Sequence, residues 1–149
     1  MKILIVEDQE EKLRQVEDFF AETRPQCTLT VARSFQQAKT QLRGDQFDLV
    51  VLDMSLPMYP DGENLQSSVL VYGGEDLLAW AKLRIKNLRV IVLTQFDYFA
   101  SGDNPRDLSK LSVTLKSDFK NTVLNVIHYQ ESDATWREIL STSLRGMGV

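Results

Sequence analysis

Apolar residues in this chain gather in short continuous runs, separated by segments in which they recur every three to four positions. The runs are Ile3–Val6, Leu49–Leu52, Val90–Leu93 and the broken Leu111/Val113/Leu115. The first three are uninterrupted, aliphatic and rich in β-branched residues, as expected of strands buried on both faces. Leu29 and Val31 alternate with Thr28 and Thr30, the period of a half-exposed edge strand. Between the runs, Leu13/Val16/Phe20, Phe35/Ala38/Leu42, Leu78/Ala81/Ile85/Leu88 and Phe119/Val123/Val126/Ile127 form helical stripes. Ser34 is placed to cap the second helix and Ser117 or Asp118 the fourth. Asp103-Asn104-Pro105 opens a shorter helix with less pattern.

Strands alternating with helices imply right-handed βαβ units and a parallel sheet covered on both faces. Five strands with five helices predict a flavodoxin-like, doubly wound α/β fold of strand order 2-1-3-4-5. Its site lies at the C-terminal ends of the strands. Met58–Gly73 is longer than a strand–helix connection requires. It holds a turn signal, Tyr59-Pro60-Asp61-Gly62, and then a β-prone run, Val69-Leu70-Val71-Tyr72, so residues 58–73 read as an insertion. Beyond Tyr129, Thr135 and Glu138 form a capping box, and Trp136, Ile139, Leu140 and Leu144 form an apolar stripe. Residues 131–149 thus read as a short amphipathic tail helix, appended to a domain of residues 1–130.

Composition narrows the function classes. With 149 residues, 43% of them hydrophobic and 26% charged, the chain can bury a core of its own. A net charge of −4, from 17 basic against 21 acidic residues, speaks against nonspecific nucleic-acid binding. The single cysteine, Cys27, leaves no internal disulfide and suggests a reducing, cytoplasmic setting. The single histidine, His128, argues against most zinc sites and against Ser-His-Asp or Cys-His triads. It reads as a surface residue on the last turn of the fourth stripe. No apolar stretch approaches a membrane span or a signal-peptide core.

The polar residues that follow the runs carry the chemistry. Glu7 and Asp8 follow the first strand, Asp53 ends the third, Thr94 follows the fourth and Lys116 the fifth. If the sheet order holds, all five converge on one rim. Clustered carboxylates repel unless a cation joins them, and an oxygen-only set suits Mg²⁺. A hydroxyl and an ammonium beside them suit a bound phosphoryl group. The chemistry that follows is attack by Asp53, the central carboxylate, on a phosphoryl donor to form an acyl phosphate.

From Lys2 to about Tyr129 the chain resembles the receiver domain of two-component response regulators. The resemblance rests on Ile-Leu-Ile-Val-Glu7-Asp8, Val-Val-Leu-Asp53-Met-Ser-Leu-Pro57, Val-Ile-Val-Leu-Thr94 and Leu-Lys116. It implies that Asp53 is the phosphoacceptor, that Thr94 and Lys116 hold the phosphoryl oxygens, and that Mg²⁺ is the cofactor. By the same resemblance Asp8 and Asp53 bind the ion directly, Glu7 binds it through water, and the Ser55 backbone carbonyl is a further ligand. The partners implied are a histidine kinase or a histidine phosphotransfer protein as donor and a downstream protein target as output, while the apolar stripe of the tail helix would cover the domain or a second copy of the chain. The chain would catalyse only its own phosphorylation and dephosphorylation. Three positions depart from the family pattern: Ser117 stands where proline usually follows the lysine, Gln95 where a small residue follows the threonine, and Val113 where an aromatic residue precedes the lysine.

Other readings of the same residues differ in what they require. A haloacid-dehalogenase-type phosphatase needs a second aspartate where the chain has Ser55, and it leaves Glu7 and Asp8 unexplained. A flavin or nucleotide binder needs a Gly/Ser/Thr-rich loop after the first strand, where the chain has Glu7-Asp8-Gln9-Glu10-Glu11. A degenerate receiver acting as a scaffold shares every motif and differs in carrying no phosphoryl group.

Overall fold

The computed structural model describes residues 1–59, 69–70, 73–95 and 108–148. In chain order the elements are β1 (Lys2–Val6), α1 (Glu10–Thr23), β2 (Thr28–Ala32), α2 (Phe35–Gly44), β3 (Leu49–Leu52), β4 (Leu56–Pro57), β5 (Val69–Leu70), α3 (Gly73–Lys82), β6 (Val90–Thr94), α4 (Leu108–Asp118), β7 (Val123–His128) and α5 (Thr135–Gly146). Five strands form one sheet in the order β2-β1-β3-β6-β7, and every neighbouring pair is parallel. This is the doubly wound order expected from the alternation of runs and stripes.

The side chains of β1, β3 and β6 alternate between two apolar clusters, one on each face. On one face Leu4, Val50 and Val92 pack with Phe35, Ala38, Leu78, Leu111 and Leu115 of α2, α3 and α4. On the other, Ile3, Val51 and Ile91 pack with Phe19, Phe20, Trp136, Leu140 and Leu144 of α1 and α5. Burial on both faces is why these strands are continuous aliphatic runs rather than alternating ones. Ser34 caps α2 as expected, its side chain accepting from Gln37 N at 3.1 Å.

The second half of the chain folds differently from its pattern. Leu111, Val113 and Leu115 do not form the fifth strand; they lie in α4. Leu111, Leu115 and Phe119 are buried at four-residue spacing, while Val113 is 70% exposed on the outer side. The fifth strand of the sheet is β7, drawn from the segment whose Phe119/Val123/Val126/Ile127 spacing imitates a helix. Three of those four residues are β-branched, which favours the pleated strand. A register shift after Val90 pairs Ile91 with Asn125 and leaves Leu124 outside the ladder. The tail helix is α5, the fifth of the described helices, with Trp136, Leu140 and Leu144 inside the core. Its start is fixed by Asp133, whose Oδ1 accepts from Thr135 N and Oγ1 at 2.9 and 2.6 Å.

Within 58–73, the β-prone run does form a strand: β5 pairs antiparallel with β4, Leu56 opposite Leu70 and Pro57 opposite Val69. The Pro60-Asp61-Gly62 part of the turn signal, Val71-Tyr72 and the helix start at Asp103-Asn104-Pro105 lie outside the described residues. Among the described residues no helix is long and apolar enough to cross a membrane.

Candidate functional site

Parallel pairing brings the ends of β1, β3 and β6 to one edge of the sheet. Asp53 N donates to Val6 O at 3.0 Å, and Glu7 N donates to Ala32 O at 3.0 Å. Glu7, Asp8 and Asp53 therefore meet: each offers a carboxylate oxygen, and these oxygens all lie within 4.8 Å of one another. Glu7 and Asp53 are buried, at 2% and 8% exposure. Thr94 ends β6 at the same edge, fully buried, and among the described residues its Oγ1 has no hydrogen-bond partner. The Ser55 hydroxyl, buried just after Asp53, also lacks one among the described residues.

Lys116 is not part of this group. It lies exposed in the last turn of α4. That end of α4 leads into the start of β7, at the opposite edge of the sheet from Asp53 and Thr94. The end of β7 presents His128, paired in register with Thr94, and then Tyr129, whose N–H donates to Thr94 O at 2.9 Å. His128 is thus a strand residue at this rim rather than a surface residue of a helix.

The ammonium in the site comes from α1 instead. Lys12, 2% exposed, places Nζ 2.5 Å from Glu7 Oε2, 3.1 Å from Asp53 Oδ1 and 2.6 Å from Leu93 O. Its three protons thus meet three oxygens. The Tyr129 ring closes the group, with its centroid 5.5 Å from Nζ. Burial pushes the Glu7 carboxyl up to about 7; Lys12 opposes that rise and Asp53 adds to it. Burial also works against the Lys12 ammonium, yet Asp53 and Glu7 together hold its pKa above the ordinary value, so the group stays charged.

The strand-end pattern does not mark Lys12, because it lies on a helix. A signal was present: Lys12, Val16 and Phe19 share the buried stripe of α1, and a cation there opposes the helix dipole in the first turn. A charged residue on an apolar stripe four positions after Asp8 marks a paired, buried group.

Glycine shapes the wall next to Asp53. Gly74 N donates to Met54 O at 2.9 Å. A Cβ at Gly74 would fall 2.5 Å from Asp53 O and 2.8 Å from Met54 Cα, so this approach of α3 to the loop excludes any side chain.

One ammonium pairs with two of the three carboxylates, and the surplus negative charge suits a divalent cation with oxygen ligands. The donor set of Glu7, Asp8 and Asp53 meets that requirement without histidine or cysteine. By contrast, a cleft of about 700 Å³ between Arg43, Phe47, Arg84 and Lys86 lies at the other edge, where α2 and α3 end.

No protein-family model matches the sequence. The folded chain does superpose on solved receiver domains. It matches the receiver domain of the Francisella response regulator 1452 with a TM-score of 0.61 and 16% identity, covering 97% of this chain and 98% of that one. It matches the Mn²⁺-bound form of response regulator Rcp1 with a TM-score of 0.64 and 17% identity, covering 95% and 89%. The fold is that of a response-regulator receiver domain. Two curated proteins align with this chain over most of both lengths. The uncharacterized protein y4jR of Sinorhizobium fredii is 25% identical over 146 residues, 96% of each chain. The Detocs response regulatory protein DtcB of Enterobacter cloacae is 25% identical over 140 residues, 92% of this chain and 93% of that one.

Proposed function

We propose that this receiver accepts a phosphoryl group on Asp53, in a magnesium-dependent reaction, from the phosphohistidine of a histidine kinase or a histidine phosphotransfer protein. The observation that carries the reading is the convergence of Glu7, Asp8 and Asp53 at the sheet edge beside a buried Thr94 hydroxyl that has no hydrogen-bond partner among the described residues. An Asp53 carboxylate oxygen attacks phosphorus, and the bond from phosphorus to the donor nitrogen breaks with its electron pair going to the imidazole. Asp8 and Asp53 would hold Mg²⁺ directly, with Glu7 acting through water and the Ser55 carbonyl as a further ligand. The ion would supply positive charge to the transferring oxygens. Thr94 Oγ1 then donates to a phosphoryl oxygen, a partner that no described residue supplies. The new dianion biases a two-state surface, and a protein contact reads it. The α4–β7–α5 face offers exposed Val113, Leu124 and Ile139 for that contact. The 58–73 segment, which leaves Asp53 within five residues and returns at α3, would select the donor.

Mass spectrometry of the intact chain after incubation with phosphoramidate tests the reading. One added phosphoryl group is expected with magnesium, little without it, and none on Asp53→Asn. An unlabelled wild-type chain would overturn the reading in favour of a scaffold that carries no phosphate.

A further inference from the structure

We propose that Lys12, on the first turn of α1, is the ammonium that holds the phosphoryl group on Asp53, the part expected of Lys116. The inference rests on Asp53 being the phosphoacceptor. Its first support is position: Nζ lies 3.1 Å from Asp53 Oδ1, on the reacting carboxylate itself, whereas Lys116 sits in a helix that ends at the other edge of the sheet. Its second is that Lys12 is a poor structural choice. A buried ion pair rarely stabilises more than an apolar residue of similar volume would. On the stripe of Leu13, Val16, Phe19 and Phe20 a leucine or methionine would pack without desolvating a charge. The cation is explained if it serves a charge that forms at Asp53.

Its third support is the arrangement of acceptors. In the resting state Nζ divides its protons among Glu7, Asp53 and the Leu93 carbonyl. Attack by Asp53 on phosphoramidate forms a P–O bond and breaks the P–N bond, whose electron pair leaves with ammonia. The zwitterionic donor already carries the protons that leave. Negative charge moves from the carboxylate to the phosphoryl oxygens, and Lys12 keeps its own protons throughout. The ammonium follows the charge, exchanging the Leu93 carbonyl for a phosphoryl oxygen. Leu93 precedes Thr94, so this exchange passes the state of Asp53 to the end of β6. The exchange thus reaches β6, the neighbour of β7 in the α4–β7–α5 face, without a lysine on the last strand.

The test compares wild type, Lys12→Gln and Lys116→Gln by the rate of labelling with phosphoramidate and by calorimetric titration with Mg²⁺. Lys12→Gln is expected to label at least about tenfold more slowly while binding Mg²⁺ more tightly, because a competing cation has left the pocket. A merely structural lysine would lower both. Lys116→Gln is expected to match wild type. Labelling of Lys12→Gln at the wild-type rate, or loss of labelling in Lys116→Gln, would overturn the inference and leave the phosphoacceptor reading intact. An unlabelled wild type would overturn both. Should Lys12→Gln fail to fold, Glu7→Gln with Lys12→Met removes one charge of each sign. Against Glu7→Gln alone it is expected to lose labelling, and equal labelling would again overturn the assignment.

Discussion

Asp53 stays in place partly through residues that carry no charge. Gly74 meets the Asp53–Met54 backbone so closely that even a methyl group collides with a carbonyl and a Cα, which cannot swing aside as the end of the Met54 side chain can. Gly74→Ala is therefore expected to push the start of α3 away from Asp53. It should destabilise the fold by about 1 to 3 kcal/mol, the range of overpacking changes, and should slow labelling at Asp53, as urea unfolding and mass spectrometry would show. Normal labelling would mean that the loop yields without moving the carboxylate. Lys12 shows the opposite dependence, on charge. Removing one partner of a buried ion pair costs about 3 to 5 kcal/mol, so Lys12→Ala is expected to lose stability in that range in metal-free buffer. The trio of carboxylates was legible because each residue directly follows an aliphatic run, and a strand end leaves the next side chain little freedom. Lys12 was not legible, because a helix stripe reports only which side is buried and not what the buried side touches.

At the scale of elements, α5 decides how the domain is bounded. Trp136 is 2% exposed and stacks obliquely on Phe19 and Tyr129, with centroids at 5.9 and 5.5 Å. A chain ending at Tyr129 would uncover Phe19, Ile127 and the outer face of β7 at once. It is expected to lose its cooperative thermal transition by circular dichroism, and Trp136→Ala alone should cost about 3 to 5 kcal/mol. A truncated chain that melts cooperatively would make α5 an accessory. The two halves of the chain differ in how far their pattern determines their structure. In the first half, β1, β3 and β6 are central strands buried on both faces, so their runs admit one interpretation. Past Thr94 the elements border solvent. Leu111/Val113/Leu115 satisfies both a period of two and, with Phe119, a period near four, and β7 has only Val123 and Ile127 well buried. Short half-buried segments carry too few apolar positions to separate the two periods. The swap of helix and strand moved Lys116 from one edge of the sheet to the other and turned a domain helix into an apparent tail.

Considered as a whole, the molecule joins distant parts of the chain at one charged point. Glu7 and Asp8 lie about forty-five positions from Asp53 in sequence and meet only when β1 pairs with β3. A divalent ion that uses this trio therefore binds the native chain and has little hold on the unfolded one. Binding of that kind stabilises by mass action, by about 2.7 kcal/mol at a hundred times the dissociation constant. For a chain of this length each kcal/mol moves the melting temperature by roughly 2 to 4 °C. Scanning calorimetry with saturating MgCl₂, against NaCl at equal ionic strength, is thus expected to show a rise of roughly 5 to 10 °C. The shift should shrink sharply in Asp53→Asn, which removes one of the oxygen ligands. It should be larger in Lys12→Gln, where the metal-free state carries the carboxylates without their ammonium and has more to gain from the ion. Equal melting temperatures in the two salts would show that the trio does not bind magnesium, and the site would then hold its charge through Lys12 alone.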